Sequence, residues 1–273
     1  MSTTLTRATQ SVTTGGTAPA RPFAGIRHSL ALAGRALLKI RRTPEQLIDA
    51  TLQPIIFVIL FVYLFGGAVA GSQHAYLQFV LPAIMVQTGM FSTMAIGVNL
   101  NTDVRKGVFD RFRSLPIARS APLVGAVLGD VVRYLVSTVV ILAFGAAIGF
   151  RISTGPLQVL AAVGLLLVFC LSLCWVSVFL GMQFREPGGV QGVGFLVMFP
   201  LTFGSSMFVP VTTLPGWLQA WVKVNPVTHL VDAERGLLTG GLHPWPLIES
   251  LLWAAGLVAV FFPLAVRAYR RRI

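Results

Sequence analysis

Charge is scarce in this sequence: Asp, Glu, Lys and Arg make up 11% of its 273 residues, against about 25% in an ordinary soluble domain. Acids are the scarcer sign, nine against 21 bases, and the first of them is Glu45. The lysines are only Lys39, Lys106 and Lys223, and none is followed by Ser or Thr. That excludes a phosphate-cradling P-loop, which needs Lys beside a hydroxyl, so any ATP that drives this protein is bound by another chain. The two cysteines, Cys170 and Cys174, lie four apart in one apolar run, and the four histidines are scattered. No Cys/His set has metal-ligand spacing and no cofactor is expected. The cysteines read as small apolar fillers of one helix face. No hydrophobic run carries the mid-run Ser/His or paired Asp that an intramembrane hydrolase would use.

Hydrophobic residues, by contrast, make up 55% of the chain, and mean hydropathy is +0.79. They fall into six runs, roughly 47–68, 77–101, 121–149, 157–183, 189–208 and 246–267, each near or above the ~20 residues that cross a bilayer. The expected fold class is all-α, a polytopic integral membrane protein with six transmembrane helices. The net charge of +12 is not a nucleic-acid footprint, because the cations sit beside hydrophobic runs rather than on one soluble face. Seventeen Lys and Arg lie before the first run, between the second and third, after the fourth and after the sixth, while the alternate linkers hold three. Cations stay on the cytoplasmic side during insertion, which predicts a plasma-membrane protein with both termini cytoplasmic.

Residues 1–22, mostly Ser, Thr, Gly, Ala and Pro with two arginines, read as a disordered cytoplasmic tail. They lack the apolar core and cleavage site of a secretory signal. Residues 23–42 read as an interfacial amphipathic helix, with Phe23, Ile26, Leu30, Ala33, Leu37 and Ile40 on one face and Arg27, Arg35, Lys39 and Arg42 on another. The six-span domain then occupies 43–273, opening at Thr43-Pro44-Glu45 with Thr as cap and Pro at the first helical position.

The densest charged stretch is Asn101–Pro116. Asn101 or Thr102 is placed to cap a short helix, and Pro116 to stop it. Val104, Val108, Phe112 and Leu115 fall within an arc of roughly 80°; Arg105, Lys106 and Arg113 occupy the next arc, with Phe109 among them. The pattern predicts an amphipathic helix on the inner membrane surface, turning cations and one ring to the cytosol. An acid, Gly four residues on, then Arg-x-Arg-x-x-Pro (Asp103, Gly107, Arg111, Arg113, Pro116) resembles the cytoplasmic coupling loop of ABC type-2 exporter permeases, in particular the daunorubicin-resistance group. In that family the loop docks on the ATP-binding subunit and passes its motion to the membrane helices. The resemblance implies that role for Asp103, Arg105, Gly107, Phe109, Arg111, Arg113 and Pro116, although Asp-Val-Arg-Lys stands where many members open with Glu-Arg. Taken alone, the stretch reads equally as a positive-inside loop that fixes topology.

Residues 209–245 are too interrupted by Pro and Gly to span, yet Trp217, Leu218 and Trp221 are too apolar for an ordinary loop. Tryptophan at this density suits a membrane interface. The expectation is an outer re-entrant segment of two short helices, with a turn at Leu238–Pro246. Its Asn225-Pro226-x-Thr…Ala-x-Arg235-Gly236 pattern also resembles the exporter family just before the last span. Two polar seams recur at helical spacing: Thr88, Ser92, Ala95, Asn99 and Thr102 in the second run, and Gln191, Phe195, Met198, Thr202 and Ser205 in the fifth. They read either as helix–helix glue or as a substrate path through Thr88, Ser92, Asn99, Gln191, Phe195, Met198 and Thr202. The carboxylates Asp49, Asp103, Asp130, Glu186, Asp232 and Glu249 fall near run ends, with Asp130 and Arg133 spaced to pair. An empty midplane argues against ion coupling.

The resemblance implies a permease subunit, not itself an enzyme, served by a separate ABC ATP-binding subunit in two copies. A second permease copy or paralogue would complete it, with spans one and five near the two-fold contact. Its surroundings are membrane lipids, its cargo a hydrophobic or amphipathic small molecule (drug, antibiotic or lipid), and no nucleic acid is involved. The alternatives are a membrane scaffold or immunity protein that recruits a cytoplasmic partner, and an ion-coupled secondary transporter.

Overall fold

In lipid every backbone N–H and C=O must be satisfied internally, and a helix does this within one segment. The computed structural model describes residues 44–107, 121–241 and 243–272. It comprises α1 (Pro44–Ala70), α2 (Gln73–Arg105), α3 (Ala121–Ala147), α4 (Pro156–Gln183), α5 (Pro187–Phe203), a 3-10 turn (Val211–Thr213), α6 (Gly216–Val224), α7 (Pro226–Thr239) and α8 (Pro244–Arg272). No strand occurs among the described residues. The expected tail 1–22 and interfacial helix 23–42 lie outside them, as does the stretch 108–120.

Five helices, α1 to α4 and α8, are long and apolar enough to cross a membrane. The fifth expected run, 189–208, is helical only in part: α5 has 17 residues and stops at Phe203 with Gly204 as its cap. At 1.5 Å per residue it rises about 25 Å, short of a ~30 Å hydrocarbon core. A second correction concerns Asn101 and Thr102, which cap nothing: α2 runs through them to Arg105. Asn101 is buried, and its Nδ2 donates to the carbonyls of Gly181 (2.9 Å) and Phe184 (2.6 Å), tying α2 to the end of α4. The Thr102 hydroxyl donates back to the Val98 carbonyl at 2.8 Å. The turn that follows the helix closes at Gly107, whose φ of +65° is open to a residue without Cβ.

α2 is the centre of the bundle. Of its apolar span 67% is buried, against 11% for α8, and it packs on α1, α3, α4, α5 and α7. Its crossing with α4 is close because glycines meet there. A Cβ on Gly97 would strike the Ser177 carbonyl oxygen, and one on Gly181 would stand 2.5 Å from the Gly97 carbonyl oxygen. Cys170 and Cys174 are free and buried on the α4 face, as apolar fillers should be.

α4 and α8 run parallel: Trp175 meets Phe262 edge-on at 4.7 Å, and Met182 at the end of α4 and Arg185 just after it share a cavity with Arg267 and Arg271 at the end of α8. α5 lies antiparallel to α2, with Val190 beside Gly97 and Phe195 beside Phe91. The end of the bundle holding Asn101 and Phe184 also gathers Arg185, Arg267 and Arg271. At the other end Gln78 Nε2 reaches the Gly149 carbonyl (3.3 Å) and the Thr154 hydroxyl reaches Leu237 O (2.6 Å). Large apolar side chains stand out of α1, α5 and α8, such as Leu64, Leu196 and Leu252, a surface made for acyl chains rather than water.

The α2–α4 contact yields a sharp expectation. Gly97→Ala should lower stability by about 1–3 kcal/mol, since the obstructing atom is rigid backbone. Gly164→Ala, which meets open space, should leave it unchanged. Thermal unfolding of the purified protein in detergent checks both; equal melting of the two variants would contradict the close crossing.

Candidate functional site

Where α5 stops, the chain runs irregularly through Ser205, Ser206, Met207 and Phe208, all buried. Buried backbone of this kind needs partners, and three side chains supply them. Arg235 on α7 donates through Nη2 to the carbonyls of Ser206 (2.8 Å) and Met207 (2.9 Å), and through Nε to that of Phe79 on α2 (2.9 Å). Its Nη1 pairs with Asp232 Oδ1 at 3.1 Å, and its guanidinium lies 3.6 Å above the Phe79 ring. Asn225 donates through Nδ2 to the carbonyls of Leu201 and Gly204, both at 2.8 Å, while its Oδ1 caps α7 by accepting from Val227 N. Tyr76 donates its hydroxyl to the Phe208 carbonyl at 3.0 Å. Pro226 occupies the first turn of α7, where a missing N–H costs nothing. The Asn-Pro…Arg-Gly pattern therefore has a local reason: it holds the open end of α5.

Helices α6 and α7 fall where two short helices were expected. Trp217 (75% exposed) and Trp221 (48%) extend outward from α6, and the Trp221 indole closes on Gly204, where a Cβ would come within 2.7 Å of Nε1.

Beside this junction lies a cavity of about 410 Å³ between α1, α2 and α5. Five phenylalanines, Phe57, Phe91, Phe195, Phe199 and Phe203, line it, and Phe61 and Phe208, outside the lining, link their rings into one series. Ring centroids run from Phe57 to Phe61 (5.9 Å), Phe61 to Phe208 (4.5 Å), Phe208 to Phe203 (5.2 Å), Phe203 to Phe199 (4.4 Å), Phe199 to Phe195 (5.8 Å) and Phe195 to Phe91 (5.6 Å). Polar groups punctuate the wall: Gln53, Gln87, Thr88, Ser92, Asn99 and Arg133. Arg133 pairs with Asp130 at 3.1 Å, as their spacing predicted, and also donates to the Ser92 carbonyl at 2.6 Å. Such a space can hold a planar or amphipathic molecule by ring contact, with amides and hydroxyls to orient it.

Of the seven residues considered for a substrate path, Thr88, Ser92, Asn99 and Phe195 line this cavity. Gln191 is exposed beyond it, while Met198 and Thr202 are buried against neighbouring helices. The spacing by fours of Phe195-Phe199-Phe203 is the signal in the sequence that would have found the α5 side of the wall. Of the proposed coupling residues, Asp103 is half-buried at the end of α2, Arg105 is exposed, and Gly107 forms the turn. Phe109, Arg111, Arg113 and Pro116 lie outside the described residues.

A further acid, not among the six carboxylates near run ends, is sealed inside the protein. Glu234, on α7, is fully buried, and neither carboxyl oxygen has a partner among the described residues. Burial raises its proton affinity well above the ordinary value of 4.5, because an isolated carboxylate is costly in apolar surroundings. It does not line the aromatic cavity.

Two expectations follow from α7. Arg235→Lys keeps the charge but not the planar fork; orphaning carbonyls at about 1–3 kcal/mol each, it should abolish a cooperative melt or lower it by 10 °C or more. For Glu234 the folded state holds a proton that the unfolded chain releases above about pH 4.5. The folded state is therefore unpenalised below that pH and loses stability as pH rises. Glu234→Gln should melt close to the parent at pH 4 and increasingly above it toward pH 7; a constant difference would refute a neutral buried acid.

Residues 27–239 match the ABC-2 type transporter family. The chain is 44% identical, over 263 residues, to the daunorubicin resistance ABC transporter permease protein DrrB1 of Streptomyces coeruleorubidus, covering 96% of this chain and 93% of that one. It is 27% identical to the probable doxorubicin resistance ABC transporter permease protein DrrC of Mycobacterium tuberculosis, covering 90% and 89%, and 26% identical to the putative transport permease ycf38 of Cyanophora paradoxa, covering 79% and 75%. With a match of this extent and five helices fit to cross a bilayer, the chain belongs to the ABC-2 type transporter family of membrane permeases.

Proposed function

We propose that this chain is the membrane subunit of an ATP-driven exporter of hydrophobic or amphipathic compounds. The observation that carries this reading is the aromatic cavity between α1, α2 and α5. Its volume of about 410 Å³ suits a drug-sized ligand, and its half-exposed Phe195, Phe199 and Phe203 form a wall open to the side. The names of the relatives, which refer to daunorubicin and doxorubicin, agree with cargo of this kind.

Six crossings fit the bundle better than five. α4 and α8 are parallel, their last turns lining one cavity, so the chain between them has to return across the bilayer. α5 together with 204–208 lies along α2 from Gly97 to Tyr76, about 32 Å of helix and enough to cross a ~30 Å hydrocarbon core. An even number of crossings puts both termini on the cation-rich, cytoplasmic side. The outward apolar faces of α1 and α5 are then the surface for a second permease copy or paralogue. α6 and α7 lie at the outer end as the re-entrant segment.

Two copies of a separate ATP-binding subunit dock below, on Asn101–Pro116. Phe109 enters a groove of that subunit, and Arg105, Lys106, Arg111 and Arg113 border it.

Reconstitution with the cognate ATP-binding subunit tests the whole. A lipophilic aromatic amine should stimulate ATP hydrolysis, and the double variant Phe91→Ala/Phe195→Ala should raise the half-maximal concentration about tenfold. Phe109→Ala should break the link between hydrolysis and transport more severely than Lys106→Ala, because a desolvated ring outweighs a rim charge. Transport that persists without any ATP-binding subunit would sink the reading.

A further inference from the structure

A second cavity, of about 420 Å³, opens where the parallel helices α4 and α8 end together. Its floor is apolar, from Phe179, Met182 and Leu264, and three guanidiniums, Arg185, Arg267 and Arg271, stand around its mouth. All three are exposed. None has an ion-pair partner among the described residues, whose ion pairs are Arg133–Asp130, His229–Glu249 and Arg235–Asp232. The nearest acid in sequence, Glu186, is exposed at the start of α5 and forms no such pair.

Position tells what the groove faces. The apolar spans of α4 and α8 end at Gln183 and Arg271, so the mouth stands at the level where hydrocarbon gives way to headgroups. α8 is the least buried of the five crossing helices, at 11% of its span, so the groove is reached from the bilayer. Arg267 and Arg271 are one helical turn apart on α8 and line the same cavity as Arg185, where a single phosphate can accept from more than one planar donor. Below them the floor offers a strip for an acyl chain. Nothing in the positive-inside rule requires three unpaired arginines to converge over an apolar trough.

We propose that the α4–α8 groove is a binding site for one anionic phospholipid, its phosphate held by Arg185, Arg267 and Arg271 and its chain on Phe179, Met182 and Leu264. The site is separate from the aromatic cavity and needs only that α4 and α8 cross the bilayer. It can therefore fail while the exporter reading stands, and the reverse.

Native mass spectrometry of the purified full-length chain, titrated with dioleoyl phosphatidylglycerol or dioleoyl phosphatidylcholine, tests it. One phosphatidylglycerol per chain should bind saturably and well ahead of phosphatidylcholine. A cation at the membrane surface contributes about fivefold in affinity. Arg267→Gln should therefore weaken binding about fivefold, and Arg185→Gln/Arg267→Gln/Arg271→Gln about a hundredfold. Arg270→Gln, exposed on the same helix but outside the groove, should change it less than twofold. An equal loss in Arg267→Gln and Arg270→Gln would mean unspecific surface attraction and overturn the site. Displacement of bound lipid by millimolar inorganic phosphate would assign the arginines to a free anion instead. If the triple variant binds phosphatidylglycerol normally but no longer retains the ATP-binding subunit, the groove is a protein contact and the proposal is wrong.

Discussion

The arrangement depends on how the chain satisfies its backbone where α5 breaks off. A helix that stops at Phe203 leaves carbonyls of its last turn, and of the irregular residues after it, inside the protein. Residues 205–208 are buried, and each orphan would cost more than a typical hydrogen bond returns. Arg235, Asn225 and Tyr76 together accept this burden from α7, the α6–α7 junction and α2. One guanidinium spans three carbonyls and a carboxylate and lies on a ring, which no other side chain has the donors to do. α7 is thereby fastened to α2, and the end of α5 to both.

That junction also shapes the cavity. Phe203 and Phe208 flank the irregular stretch, and through them the ring series of α5 joins that of α1. Had α5 continued as a regular helix, Phe208 would follow the helical spiral instead of folding onto Phe61 at 4.5 Å. Broken helices that line cavities are tolerated in membrane proteins for this reason: the freed backbone is met by protein groups, and the bend brings side chains together that a straight helix would keep apart. The polar groups of α2 that face the space are partly engaged already. Thr88 donates to the Ile84 carbonyl, and the Ser92 carbonyl accepts from Arg133. The wall thus offers mostly ring faces and amides.

Several features were legible in the residues because they depend on composition and local order. Apolar runs of sufficient length became α1 to α4 and α8, and the Asp130–Arg133 pair formed at its i,i+3 spacing. Trp217 and Trp221 projected outward from a short helix. Other readings failed for identifiable reasons. Asn101 has the chemistry of a cap, but its amide was already engaged by the end of α4, eighty residues away. Met198 and Thr202 share a helical arc with Phe195 by spacing, yet α2 and α7 cover that part of α5 and leave the Phe195-Phe199-Phe203 stripe facing the cavity. Glu234 stands between Ala233 and Arg235, two residues from Asp232, and this charged local sequence gives no sign that packing would seal it.

The sequence by itself determined that this is a multi-pass helical membrane protein with a cation-rich side, since hydropathy and charge sorting act on each segment independently of the others. Its motifs and length also determined the family. Only the tertiary structure decided which faces meet: that Gly97 and Gly181 let α2 and α4 touch backbone to backbone, that Arg235 reaches the broken end of α5, and that Phe57 of α1 and Phe91 of α2 close on one cavity with the phenylalanine stripe of α5. Those outcomes depend on side chains from helices far apart in the chain competing for the same few ångströms, and no local pattern carries the result of that competition.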